Sequence, residues 1–94
     1  MRYEFDQHKS EMNLAKHGID FVDAQALFDD PEMIATAVHR GGESRWISIG
    51  RMFGSCWVCI YTMRGDAIRI ISVRRATRKE AAIYDRSYGS PGPR

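Results

Sequence analysis

Ninety-four residues, 44% hydrophobic and 28% charged, make one small domain with a single core, expected over residues 1–88. The longest apolar run, Cys56 to Tyr61, is too short to span a bilayer, and the polar opening MRYEFDQHKS lacks a signal peptide's apolar segment, so a cytoplasmic protein with no membrane partner is expected. The net charge of +2 conceals an asymmetry: residues 1–43 hold nine acids and four bases, residues 44–94 three acids and ten bases, and a basic half of this kind suits an anionic partner such as nucleic acid.

In chain order, Arg2–Phe5 reads as a short strand with Tyr3 and Phe5 on one face. Asp6 is a good N-cap for a helix over Gln7–His17, whose sparse apolar positions are Met12, Ala15 and Ile19 with Leu14 beside them; Gly18 suits a left-handed ending. Asp20 then caps a second helix with Phe21, Ala24, Leu27 and Phe28 at helical spacing, stopped by Asp29-Asp30-Pro31, and the two helices form an αα-hairpin.

From Met33 the hydrophobic period becomes two. Strands are expected over Met33–His39, Arg45–Met52, Cys56–Met63 and Ala67–Arg75, joined by Arg40-Gly41-Gly42-Glu43, Phe53-Gly54-Ser55 and Arg64-Gly65-Asp66, each short enough to turn a hairpin. Thr77-x-x-Glu80 is a capping box that starts a third helix over Arg78–Tyr88, and the Gly/Pro-rich residues 89–94 read as a disordered tail. The expected class is α+β, in the order β-α-α-β-β-β-β-α, with the helical hairpin on one face of an antiparallel sheet.

Cys56 and Cys59 form a CxxC inside a strand, where residues three apart point to opposite faces. With no second pair and no His-x-x-x-His, neither a metal site nor a cofactor is implied, and two reduced thiols are expected. His8 and His39 match no motif and read as surface residues. Trp46 and Trp57 could stack on bases, but on half-apolar strands they read first as packing residues.

The ordered set FDQHKSEMNLAKHGIDFVDAQALFDDP, RWISIG and YTMRGDAIRIISVRRATRKEAAIY resembles the BrnT family of type II toxins, over Phe5 to Tyr84. Its most specific pieces are NLAKHG with the following Phe21, and RIISVR followed by Thr77-x-x-Glu80 and Tyr84. The resemblance implies a RelE-like fold and a metal-independent endoribonuclease that inhibits translation. It further implies a BrnA-like antitoxin that inhibits the toxin and binds DNA, so that operator DNA is reached only through the joint complex.

Metal-free RNA cleavage uses the neighbouring 2′-hydroxyl as nucleophile, and needs a proton acceptor, a proton donor and positive charge at the phosphate. Lys16 and His17, in the best motif match, are the candidates for proton transfer or phosphate contact; their plain alternative is two cations opposing the dipole of a helix's last turn. Arginine's planar fork suits phosphate. Arg45, Arg64 and Arg74 are the expected catalytic arginines, and Arg51, Arg69, Arg75 and Arg78 the expected RNA contacts; solvated side chains or salt bridges to the acidic helices are the alternative for each.

Strict alternation puts Arg45 and Arg51 on one face of their strand, and Arg69 and Arg75 on one face of theirs with Arg74 opposite, while which face forms the cleft depends on strand register. Glu80 reads as the capping carboxylate rather than a general base, and Tyr84 as packed with its hydroxyl outward. A non-catalytic nucleic-acid-binding module and an inactive toxin relative acting as an interaction partner are the alternative functions.

Overall fold

The computed structural model describes residues 1–89; of the expected disordered tail, residues 90–94 lie outside them. Five strands form one sheet in the order β1-β5-β4-β3-β2: β1 (Arg2–Glu4), β2 (Ile34–Arg40), β3 (Glu43–Met52), β4 (Ser55–Arg64) and β5 (Ala67–Arg75). The four hairpin-connected strands are antiparallel as expected, but β1 runs parallel to β5 through Arg2↔Ala67, Tyr3↔Ile68 and Glu4↔Arg69. The sheet is therefore mixed. A strand whose partner lies 65 residues away has no local turn to set its direction.

Helix α1 (Gln7–His17) has its expected bounds. Asp6 accepts a hydrogen bond from Lys9 N at 3.0 Å, and Gly18, at φ +80°, donates its N–H to the Leu14 carbonyl at 2.9 Å. Its buried face differs from the expectation. Met12 and Leu14 are largely exposed, whereas Ser10 and Asn13 are buried. Asn13 Nδ2 donates to the carbonyls of Ile19 (2.8 Å) and Val73 (2.9 Å), and its Oδ1 accepts from Val73 N at 3.2 Å; Ser10 Oγ accepts from Phe21 N at 2.9 Å. The helix is docked by hydrogen bonds to backbone rather than by an apolar stripe.

The second helix of the hairpin is a 3-10 helix, Asp23–Asp29, rather than an α-helix. Asp20 does not occupy its N-cap, which is Val22 without a side-chain cap bond, but Asp20 Oδ1 accepts from Asp23 N at 2.8 Å in the turn before it. The residues buried along this segment, Phe21, Ala24 and Leu27, recur every three positions, and at three residues per turn such positions stack on one edge.

Phe21 and Leu27, with Met52, Trp57, Cys59, Tyr61, Ile68, Ile70 and Val73, make the main core on what we term the core face of the sheet. Tyr3 and Phe5 of the amino-terminal segment pack against it, with ring contacts to Phe28 and Phe21. Cys59 faces this core and Cys56 the other side, as their odd spacing requires; burial pushes the Cys59 thiol up to about 12.

Helix α2 (Arg78–Tyr84) begins at the expected capping box: Thr77 Oγ1 accepts from Glu80 N at 3.1 Å, while Glu80 Oε1 accepts from Thr77 N at 2.9 Å. It ends earlier than expected, passing into a π-helical turn over Asp85–Gly89. α2 covers only one end of the opposite face, where Tyr84 packs on Ile49 and Val58. The rest of that face has no helix over it among the described residues.

Candidate functional site

Register decides which side chains share the opposite face. Pairing continues from Trp57↔Arg75 through Ile60↔Ser72, but the next β4 residue, Tyr61, pairs with Ile70. Ile71 is the extra residue of a β-bulge, and side-chain alternation along β5 is reset there. Arg69 opposite Thr62 and Arg74 opposite Val58 consequently point to the same side, away from the core, while Arg75 opposite Trp57 points to the core side. The grouping expected from strict alternation, Arg69 with Arg75 against Arg74, is overturned by that one residue. Alternation on β3 and β4 adds Arg45, Arg51 and Arg64 to the face of Arg69 and Arg74.

The five arginines are arranged in rows. Arg45 and Arg69 flank Thr62 from either side, about 10 Å apart across two strand spacings. Ile47 and Ile60, half-buried with no helix above them, form an apolar floor in the next row, and together with Val38 and Arg45 they line a shallow hollow. Beyond that floor come Arg74 and Arg51 beside α2. The protein's histidines lie elsewhere: His8 and His17 on α1, and His39 on the core-face side of β2.

Each of these arginines has a carboxylate partner. Arg45 meets Glu43 at 3.2 Å, Arg51 meets Asp85 at 3.5 Å, and Arg69 and Arg64 meet Glu4 at 3.6 and 4.0 Å. The Arg45 and Arg51 pairs are exposed and Glu4 with Arg69 is half-buried; contacts this long and this open to water are worth ~1 kcal/mol or less, so a phosphate could displace the carboxylate at little cost. Arg74 is different. Its two terminal nitrogens reach the two oxygens of Glu80 at 2.8 and 2.9 Å, a bidentate bond in a half-buried place. This bond, with the donors of Thr77, holds the Glu80 carboxyl down to about 2, and the same bond raises Arg74. Glu80 therefore serves both the helix start and the orientation of Arg74.

Lys16 and His17 are not on the arginine face. They line a groove with Asn13, Ile71 and Ser72, where α1 runs along the edge of β5 beyond the end of β1. Ser72 belongs to the arginine face by its pairing with Ile60, so this groove opens onto it between Arg69 and Arg74. Arg75 and Arg78, with Arg51, line a second groove at the start of α2; the Arg75 guanidinium lies 5.0 Å over the Trp57 ring. Trp57 is itself buried and donates Nε1–H to the Met52 carbonyl, so it packs rather than offering a base-stacking face.

Two functional-looking residues escape a sequence reading. Asp30 accepts from Tyr84 Oη (2.6 Å), Arg51 N (2.8 Å) and Glu32 N (2.9 Å). Burial works against its charge, but these donors hold its carboxyl below the ordinary range, and burial with the Asp30 contact pushes Tyr84 up to about 12. The Tyr84 hydroxyl is thus turned inward to Asp30, not outward. Asn13 is the other, and the polar spacing Ser10-x-x-Asn13 on a helix short of apolar residues is the signal that points to it.

The described residues thus form an α+β protein with five arginines gathered on one sheet face beside an apolar floor. The chain belongs to the BrnT family, the ribonuclease toxins of type II toxin-antitoxin systems, whose family model matches residues 5–80. Membership implies an antitoxin partner. Comparison with curated proteins gives no significant match. No helix among the described residues is long and apolar enough to cross a membrane.

Proposed function

We propose that this toxin is a RelE-like endoribonuclease that cleaves RNA without a metal ion and thereby inhibits translation, its substrate lying across the arginine face. The observation that carries the reading is the bulge at Ile71, which gathers Arg69 and Arg74 onto the face of Arg45, Arg51 and Arg64. Arg45, Arg64 and Arg69 exchange weak carboxylate contacts for phosphate oxygens, and the Ile47–Ile60 floor seats the sugars and bases.

In the reaction the 2′-hydroxyl attacks the adjacent phosphorus as its proton is removed, and the bond to the 5′-oxygen breaks as that oxygen is protonated. The products carry a 2′,3′-cyclic phosphate and a 5′-hydroxyl. Arg74, aimed by Glu80, supplies positive charge where the phosphoryl oxygens become more negative. Lys16 and His17, in the groove that opens onto this face beside Ser72, carry the proton transfers. Arg51, Arg75 and Arg78 extend the phosphate path along the groove at α2. The antitoxin is a BrnA-like DNA-binding protein, operator DNA is bound only by the joint complex, and the toxin acts in the cytoplasm.

The test is incubation of the purified chain with RNA in excess EDTA. Cleavage leaving cyclic phosphate ends, abolished by Arg74→Ala in a folded protein, supports the reading; intact RNA after prolonged incubation with well-folded protein rejects it. The carboxylate partner found for every arginine of the face favours a second reading, a non-catalytic binding module. That reading predicts salt-dependent RNA binding with no cleavage.

A further inference from the structure

We infer that β2 is a pairing edge for a second copy of this chain, the two strands running antiparallel about a two-fold axis at Ala37. A sheet has two edges, and this protein covers one of them twice. β1 pairs with Ala67–Arg69, and farther along the same edge Asn13 bonds both the N–H and the carbonyl of Val73. The other edge, Ile34–Arg40, pairs only with β3 among the described residues.

The turn after β2 fixes which backbone groups are left over. Gly41 and Gly42 have φ of +55° and +80°, the two-residue type I′ hairpin, so the flanking residues 40 and 43 form a hydrogen-bonded pair. Hydrogen-bonded pairs alternate along an antiparallel ladder, so Val38, Thr36 and Ile34 direct their N–H and C=O groups to β3. Ala35, Ala37 and His39 direct theirs outward. Protected edges carry a lysine, a proline, a bulge or an inward charge. Ile34–His39 has none of these, its register with β3 is unbroken, and Ala35, Thr36 and Ala37 are exposed.

The outward groups are self-complementary. Centred on Ala37, an antiparallel partner sets Ala37 against Ala37 and Ala35 against His39 as hydrogen-bonded pairs, using all three outward N–H and C=O groups of each copy. On the two faces, Ala37 meets Ala37 and Thr36 meets Val38, small and β-branched contacts without a clash. No carboxylate lies in β2, and the two His39 side chains fall at opposite ends. The two Arg45 side chains stay about 14 Å apart, three strand spacings, beyond the ~8 Å screening length. The two-fold axis is normal to the sheet, so both arginine faces end on the same side of one ten-stranded sheet.

Sedimentation equilibrium of the full chain is expected to show the mass rising with concentration from 10.8 kDa toward twice that value. Ala37→Pro deletes one outward N–H and leaves the ladder to β3 intact, so it is expected to stay monomeric with an unchanged far-UV spectrum. Ala37→Cys gives an independent readout if the proline variant does not fold. Hydrogen-bonded antiparallel residues have Cα atoms ~5.5 Å apart, within disulfide range, so mild oxidation is expected to link two copies far faster than in Thr36→Cys or the native chain. A single-chain mass at every concentration, a dimer indifferent to Ala37→Pro, or cross-linking of Ala37→Cys no faster than the native chain would overturn the inference. So would a chain that stays monomeric and gains amide protection at Ala35, Ala37 and His39 only when its antitoxin is added.

Discussion

Arg74 and Glu80 face each other across the start of α2 with two parallel hydrogen bonds of 2.8 and 2.9 Å, and Glu80 at the same time completes the capping box of Thr77. One carboxylate thus couples the beginning of a helix to the direction of an arginine on the sheet. Glu80→Gln keeps a capping side chain but gives up the ion pair. The expected loss is ~1–2 kcal/mol, half-buried charged hydrogen bonds lying between surface and interior values, read from the shift of a urea unfolding midpoint. RNA cleavage should fall in the same variant although Glu80 itself does not touch substrate.

The same pair sets an acid limit. Glu80 lies at about 2 when folded against an ordinary 4.5, so its contribution is fully present above about 4.5 and is lost as pH falls through about 2. Asp30, also lowered by its hydrogen bonds, acts in the same direction. Tyr84 acts at the other end: its folded value of about 12 stands above the ordinary 10, so its contribution holds below about 10 and is lost as pH rises through 12. A stability-versus-pH series on the native chain and Glu80→Gln is expected to give curves that converge as pH approaches 2.

Asn13 closes the edge of β5 that β1 leaves uncovered. Asn13→Ala orphans the Val73 N–H and carbonyl and the Ile19 carbonyl within a buried place, and is expected to cost ~2–4 kcal/mol in chemical unfolding. Asn13→Asp keeps the acceptor for Val73 N–H but loses both donated bonds, and should not restore stability.

Gly50 permits the 3-10 helix to lie against β3. A Cβ there would come within 2.9 Å of Leu27 Cδ1 and 3.2 Å of Met33 Cγ. Gly50→Ala is expected to destabilise by ~1–3 kcal/mol through overpacking, measured as a lowered melting temperature.

The bulge at Ile71 separates two arginines that simple alternation would pair. Arg69→Ala should weaken RNA binding and lower the slope of log affinity against log salt by about 1, as for one lost phosphate contact. Arg75→Ala should change that slope less, because its guanidinium is held over Trp57 on the core side. Titrations of labelled RNA at several salt concentrations measure both.

Much of the fold is local enough to be legible in the residues. Asp6, Gly18, Thr77 and Glu80 mark helix ends through side-chain and backbone chemistry that acts within four positions, and the hairpin glycines do the same for β2–β5. The 3-10 geometry of Asp23–Asp29 was partly visible in the three-residue spacing of Phe21, Ala24 and Leu27, but a helical period of 3.6 accounts for that short pattern nearly as well.

The sequence by itself determined the α+β class, the ends of α1, the start of α2, the basic second half and the family motifs. Tertiary structure alone decided which arginines share a face of the sheet. Ile71 has no residue opposite it, so alternation resets there and Arg69 joins Arg74; such a slip is a property of two strands in contact, and neither strand encodes it alone. The same holds for Glu80, Asn13 and Asp30, whose partners are set by packing. Side-chain type fixes what a residue can bond, and only the folded neighbours fix what it does bond.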